Sequence, residues 1–263
     1  MSPSEGWWED NSESVHSDDP RESPQYYSGA LSDLFNRNDR EDIETEEQKR
    51  VRLELAEQKR LDRLIEIEEF LADGLSLPRA DLKGALLKFS NFAGADLFCA
   101  NLSSSVLDNS NLQYVDLRGA EMYGVSLKDA DLSYAKLDGA NLMRSDLSGA
   151  NLGGAFLRNA NLCYANLRHS NLHHTYLTDA KLGGAKMHGV NLAFANMANA
   201  KLINADLSDA DLSYADLSGV EFSYSTNLKG AIFHHANLDG AILNNVSLDG
   251  ADFKGATMPD ELS

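Results

Sequence analysis

Residues 130–154 read ADLSY, AKLDG, ANLMR, SDLSG and ANLGG, which are five consecutive units of five residues. The same period runs from Ala80 to Asp260 and makes 36 units. The third residue of a unit is Leu in 28 of them and Phe or Met in the other eight. The first residue is Ala in 24 units and otherwise Ser, Val or Thr. Each unit therefore carries one small and one large side chain two residues apart.

A five-residue period fits neither an α-helix of 3.6 residues per turn nor a strand of period two. If each unit forms one side of a square coil, its first and third residues point to the same interior. The second, fourth and fifth residues then face water or form the corner. Alternating small and large inward side chains fill a narrow core without overpacking it.

The recurring pattern A(D/N)LXX resembles that of the pentapeptide repeat family. The resemblance covers the whole stretch from Ala80 to Asp260. It implies an all-β solenoid, a right-handed quadrilateral β-helix with four units per coil. The 36 units then make about nine coils, and ~4.8 Å per coil predicts a rod roughly 43 Å long. Phe222 and Leu228 are six residues apart instead of five, so we expect a bulge between Ser223 and Asn227.

Three regions are predicted: an acidic tail at 1–38, a charged helix at 39–78 and the repeats at 79–263. The tail is rich in Ser, Asp, Glu and Pro without apolar periodicity, a composition typical of disorder. Trp7 and Trp8 lie in it as a candidate partner-binding motif, with a solubilising tail as the competing interpretation.

The second region has helix signals between Thr45 and Asp73. Thr45 and Gln48 are spaced as a capping box, and Gly74 follows as a stop. Apolar residues concentrate in the second half of this stretch. We expect that half to cap the open first coil of the solenoid. Self-association as a coiled coil is the alternative.

The formal net charge is −18, from 41 acidic and 23 basic residues. This charge would repel nucleic-acid phosphates and anionic membrane surfaces, so neither is predicted as a direct partner. Two cysteines form no disulfide framework and favour a reducing compartment. The sequence has neither a leader pattern nor an apolar run long enough to span a bilayer. A cytoplasmic location is the expectation.

One outward column of the predicted coil is aromatic. It occupies the fifth place of every fourth unit and comprises Tyr114, Tyr134, His174, Phe194, Tyr214 and His235. Such rings can stack as a structural ladder, or they can form an exposed surface for a protein partner. Both interpretations stay open at this point.

No catalytic site, metal site or cofactor is predicted. His169, His173, His174 and His188 fall near one corner, but no cysteine joins them and neighbouring histidines diverge, so we interpret them as surface residues. A filled core without long loops offers no pocket for acid–base or nucleophilic chemistry. The chain is therefore not expected to be an enzyme.

The function predicted is a non-catalytic scaffold or regulatory protein that binds an unidentified protein partner. Family resemblance supplies an alternative, because some members mimic DNA and inhibit or protect type II topoisomerase (gyrase). The repeats from residue 79 onward carry 20 acids and 14 bases, and they lack the projecting loops of some resistance members.

The last coil offers an unpaired edge around Phe253 and Met258, with only a few residues beyond it. Unpaired strand edges favour association with another chain. We therefore expect a homodimer through the C-terminal coil.

Overall fold

The computed structural model describes residues 45–55, 58, 76–223 and 225–259. The chain divides into two compact units, Met1–Leu55 and Ala56–Ser263. The tail at 1–38, with Trp7 and Trp8, lies outside the described residues. The apolar second half of the predicted helix also lies outside the described residues. The choice between a cap and a coiled coil therefore stays a prediction.

Helix α1 spans 46–55 in the first unit, and residue 58 is also helical. The predicted capping box is confirmed. The backbone N–H of Gln48 donates to Thr45 Oγ1 at 3.2 Å, and that of Thr45 donates to Gln48 Oε1 at 2.8 Å. Two backbone donors that the first helical turn leaves free are thereby satisfied.

The repeats form parallel one-residue β-bridges instead of extended strands. Each bridge joins the second residue of a unit to the second residue of the fourth unit after it, from Asp81↔Asn101 to Asn237↔Thr257. This return means that four units make one coil. Units that begin at Ala80, Ala85, Ser90 and Ala95 are called sides one to four, and each side repeats every coil.

The unit at Ala130 illustrates the ladder that links one coil to the next. Leu132 N–H donates to Asn151 O at 2.7 Å, Asn151 N–H to Ala130 O at 2.9 Å, and Tyr134 N–H to Gly153 O at 3.0 Å. The corner closes when Ala135 N–H donates to Leu132 O at 3.0 Å. Nearly all main-chain polar groups of a unit are thus paired, as a filled interior requires.

The core follows the small–large pattern. Third-place residues such as Leu132 and Leu162 and first-place residues such as Ala160 are fully buried. First-place hydroxyls are buried but bonded, since Ser145 Oγ donates to Leu142 O at 2.6 Å and Thr175 Oγ1 to Leu172 O at 2.7 Å. The predicted inward places are therefore confirmed.

Corners explain why Asp and Asn recur at the second place. The side chain of Asn151 accepts the backbone N–H of Gly153 at 3.2 Å, while its amide donates to Asp131 at 3.1 Å. One short side chain thus fixes its own corner and joins the coil before it. The corner also holds the fifth residue at positive φ, as in Tyr134 at 58°, which is what the third position of a type II turn requires.

The predicted bulge is present on side one. Bridged residues are 20 apart in sequence up to Lys201↔Glu221, whereas Asp206 and Asn227 are 21 apart. The buried Thr226 hydroxyl shares its hydrogen bond between Leu202 O at 2.8 Å and Ser223 O at 3.0 Å. It anchors the extra residue, and from Asn227↔Ser247 onward the bridged residues are again 20 apart.

Burial predicts a stability gradient along the repeats. Leu162→Ala should lower the free energy of unfolding by about 2–5 kcal/mol, because it empties a fully buried site. Leu248→Ala, at a partly buried site near the C-terminal coil, should cost less. Urea unfolding followed by circular dichroism checks both. Equal losses would mean that the last coils are as tightly covered as the middle ones.

Candidate functional site: an aromatic column at one corner

The fifth residues of side three form an exposed aromatic column along the repeats. Exposed fractions are 60% for Tyr114, 50% for Tyr134, 51% for Phe194 and 52% for Tyr214. His174 is also exposed. Large rings that remain half in water belong to a surface and not to the core.

The rings stack from coil to coil in two groups. Tyr114 and Tyr134 have ring centroids 5.2 Å apart and planes 6° apart. In the second group the centroid distances are 4.8 Å for His174–Phe194, 4.9 Å for Phe194–Tyr214 and 5.0 Å for Tyr214–His235. The six residues singled out in the sequence therefore lie in one column, which is interrupted at one point.

The interruption is Gly154, which holds the fifth place between Tyr134 and His174. A Cβ atom built on Gly154 would lie 2.6 Å from Tyr134 Cε1, so the Tyr134 ring lies over this glycine. In the same way the His235 ring lies over Gly255. Fifth-place side chains thus lean onto the following coil, which is why rings in adjacent coils meet face to face.

Each residue of the column has a positive φ, which is an unfavourable backbone conformation for a residue with a large side chain. Tyr114, Phe194 and Tyr214 have φ near +60°, where a bulky residue costs on the order of 1–3 kcal/mol. Stacking of two rings contributes about 0.5–1.5 kcal/mol to stability, in addition to the effect of burying their apolar area. The corner geometry is imposed by the ladder, so the rings are held in fixed positions by the whole coil.

A second stack on side four was missed by the sequence analysis. Phe156 and Tyr176 occupy second places, with centroids 4.9 Å apart and planes 3° apart, and the Arg158 guanidinium lies 5.3 Å from the Tyr176 ring centre. The signal was available as a pair of aromatic residues at the same place of successive coils. It was overlooked because most second places hold Asp or Asn, and only the fifth places were considered as an aromatic column.

Carboxylates flank the column on sides three and four. The Arg118 guanidinium donates to Asp116 at 2.6 Å, and this hydrogen bond lowers the pKa of Asp116 below its usual value of 3.8, against partial burial. Burial also opposes ionisation of Asp131, but donors on Ser133, Gln113 and Asn151 outweigh it and lower its pKa too. Both groups are negative at neutral pH.

The histidines near the column pair with each other through ring edges. His169 meets His188 and His173 meets His174, each with centroids 5.2 Å apart. Within the described ranges, no three His, Cys, Asp or Glu side chains are placed to share a metal ion. The helical residues that the structure describes contain no segment that could span a bilayer.

The repeat geometry agrees with a sequence match to the model described as "Pentapeptide repeats". It matches in eight copies over residues 76–113, 126–162, 157–192, 191–223 and 224–258. The chain belongs to the pentapeptide repeat family. Members of this family form right-handed quadrilateral β-helices and are generally structural or binding proteins without catalytic activity.

Solved pentapeptide repeat proteins resemble the chain over most of their own lengths. HetL, involved in heterocyst differentiation regulation in the cyanobacterium Nostoc sp. strain PCC 7120, is 35% identical, with 71% of this chain and 88% of that one covered and a TM-score of 0.46. QnrB1, a plasmid-mediated fluoroquinolone resistance protein, is 22% identical, with 71% and 95% covered and a TM-score of 0.39.

Rfr23 from the cyanobacterium Cyanothece 51142 is 20% identical, with 78% of this chain and 95% of that one covered and a TM-score of 0.23. No curated protein sequence matches the chain. The comparisons therefore identify the family of the repeats.

The Asp116–Arg118 pair predicts a pH effect. A carboxylate with a lowered folded-state pKa stabilises the fold above the unfolded value near 3.8, and this contribution is lost as pH falls through the folded value. Arg118→Gln should raise the pKa of Asp116 and move acid unfolding to higher pH. Carboxyl NMR titration and circular dichroism between pH 7 and 2 check this, with Arg158→Gln as a control away from Asp116. An unchanged Asp116 titration would contradict the assignment.

Proposed function

We propose that this protein is a non-catalytic scaffold that binds a protein partner through the aromatic column. The observation that carries the proposal is the exposure of stacked rings at fixed intervals of one coil. Rigid aromatic side chains are the anchors that protein interfaces favour, because they contribute large contact area.

The column is preordered, which favours binding. Neighbouring rings and the backbone ladder already restrict each side chain, so little side-chain entropy remains to be lost on association. Tyrosine hydroxyls at the rim of the stack, on Tyr114, Tyr134 and Tyr214, add donors and acceptors at its edge. A partner would meet a flat strip of ring edges bordered by Asp116 and Asp131.

The handedness, the number of coils and the length of the repeat rod also belong to the proposal. We infer a right-handed rod of about nine coils, since the bridges return every four units and the sequence has 36 units. At ~4.8 Å per coil its length is roughly 43 Å. A cytoplasmic location is part of the same hypothesis and rests on composition alone.

Mimicry of DNA for a type II topoisomerase is the alternative function, and the side-chain pairing disfavours it. Asp108 pairs with Lys88 at 3.0 Å, Asp116 with Arg118 at 2.6 Å and Asp146 with Lys128 at 3.3 Å. A mimic of the phosphate backbone needs rows of unpaired negative charge. Here cations neutralise several of the partly buried carboxylates.

The test is to combine Tyr134→Ala with Tyr214→Ala in the full chain. Wild-type protein and the double variant are crosslinked in lysate of the source organism, and captured proteins are identified by mass spectrometry. Proteins that bind the column should be lost from the double variant. Tyr164→Ala is the matched control, since Tyr164 is 59% exposed but stands on side one, away from the column.

Thermal unfolding separates the two interpretations of the column. Loss of captured proteins with an unchanged Tm supports a partner surface. A lowered Tm with unchanged capture makes the rings a structural ladder and contradicts the proposal. Capture of a topoisomerase by all variants would favour the alternative function.

A homodimer through the C-terminal coil is a further part of the proposal. Among the described residues, the N–H groups of Leu243, Leu248 and Phe253 have no hydrogen-bond acceptor, although their equivalents in earlier coils all do. Phe253 and Met258 are only partly buried. A second copy docked against this end would cover both the polar edge and the apolar ends of the core.

Light scattering of the full chain checks the dimer. We expect about twice the monomer mass of 28.8 kDa, and a shift towards the monomer for Phe253→Glu, which places a charge in the covered end. Val51→Glu is the control, because Val51 is exposed on α1. A monomer at millimolar concentration would remove this part of the proposal.

A further inference from the structure

Side four carries two arginines at the same place of the coil. Arg118 and Arg158 both occupy the fourth place of their units, two coils apart. The Arg118 guanidinium lies 5.7 Å from the centre of the Phe98 ring. The Arg158 guanidinium lies 5.3 Å from the centre of the Tyr176 ring. The two sites therefore share one arrangement of cation and ring, and they differ in how the charge of the arginine is balanced.

Arg118 is neutralised from within its own unit. Asp116, two residues before it, accepts a hydrogen bond from its guanidinium at 2.6 Å. The unit of Arg158 has Phe156 at this place instead of an aspartate. Asp138 accepts the backbone N–H of Arg158 at 3.2 Å, but among the described residues no carboxylate forms an ion pair with the Arg158 guanidinium. The charge of Arg158 is thus left unbalanced where that of Arg118 is paired.

The rings around Arg158 are ordered by each other. Phe156 stacks on Tyr176 with centroids 4.9 Å apart and planes 3° apart. Attraction between a cation and an aromatic ring restricts the guanidinium beside this stack. Arg158 is itself exposed, and the planar fork of an arginine can donate two N–H groups to one carboxylate. A restricted arginine beside exposed aromatic surface is the type of residue that contributes most to protein interfaces.

The Phe156–Tyr176 stack lies beside the aromatic column. Phe156 comes two residues after Gly154, and Tyr176 comes two residues after His174. Two residues of chain span at most about 7 Å, so the stack begins just past the corner that the Tyr134 ring covers. A segment bound along the column could therefore reach Arg158.

The neighbouring carboxylates leave room for one further negative group. The charge of Asp116 is balanced by Arg118 at 2.6 Å and by Lys136 at 3.8 Å. Asp131 belongs to side three, on the opposite flank of the column from Arg158. The net charge of −18 would repel an extended polyanion. A single carboxylate is therefore favoured over a nucleic acid at this place.

We propose that Arg158, beside the Phe156–Tyr176 stack, binds the carboxylate of an acidic side chain of a protein partner. This inference rests on the proposed function, because it names the chemistry of a partner segment that lies along the column. The carboxylate accepts two N–H groups of the guanidinium. It takes the role at Arg158 that Asp116 has at Arg118.

The test uses ¹⁵N-labelled full chain and N-acetyl-glutamyl-phenylalaninamide as the probe. The Nε–Hε signal of Arg158 should shift in a saturable manner, together with the amide of Tyr176. Arg158→Gln should raise the Kd of the probe about fivefold, the effect of losing one exposed ion pair of favourable geometry. The uncharged probe N-acetyl-glutaminyl-phenylalaninamide should bind the wild-type chain with a Kd raised by a similar factor.

Phe156→Asp provides the second test, because it recreates the arrangement of Asp116 and Arg118 at Arg158. The new carboxylate should occupy the guanidinium from within the chain and raise the Kd of the glutamyl probe. Phe156→Asn is its matched control, since the two variants differ only in charge and the Asp variant should have the higher Kd. Arg118→Gln should leave the affinity at the wild-type value, because Arg118 already has a partner.

Equal Kd values for wild type and Arg158→Gln would overturn the proposal, as would equal Kd values for the two probes or an Arg158 signal that does not move. If Phe156→Asp does not fold, Arg158→Gln decides the matter, since it changes an exposed side chain. Failure of the proposed function is recognised separately. It appears as unchanged protein capture by the Tyr134→Ala and Tyr214→Ala double variant, whereas failure of the Arg158 site appears in the probe titration.

Discussion

The hydrogen-bond ladder that joins each coil to the next is the constraint on which the structure depends. It returns every four units along the repeats and pairs main-chain groups that would otherwise be buried without partners. Because the return is fixed, only one small and one large residue per side can point inward. The composition of the first and third places follows from this condition, as does the buried hydroxyl that anchors the single extra residue near Thr226.

The same ladder determines what the surface can become. Residues at the same place of successive coils are held about 4.8 Å from each other, so identical chemistry at one place becomes a continuous strip. Asn151 and Asp131 form hydrogen-bonded pairs in this way, and the aromatic fifth places become stacked rings. The environment of a residue therefore depends on its column more than on its neighbours in sequence, and a single exception in a column is a local feature with its own geometry.

Much of the fold could be predicted from the sequence, because the five-residue period shows directly which residues point inward and which align from coil to coil. The inward places, the bulge after Phe222, the capping box of Thr45 and the alignment of Tyr134 with Tyr114 all follow from spacing alone. The direction in which fifth-place rings lean does not, since it depends on side-chain rotamers at positive φ. For that reason the covering of Gly154 by Tyr134 became visible only in the structure, and the Phe156–Tyr176 stack was hidden among second places that are mostly Asp or Asn.

Residues that serve the fold and residues free to serve binding are separated in this chain. A change at a third-place leucine alters the core, whereas the fifth place accepts glycine, asparagine, aspartate, histidine or tyrosine on the same backbone. The backbone at Gly154 would accept a tyrosine, but the Tyr134 ring, 2.6 Å from where the new Cβ would lie, would first have to move. What distinguishes that corner is that the Tyr134 ring covers the backbone of the next coil, in the place that a fifth-place side chain would otherwise take.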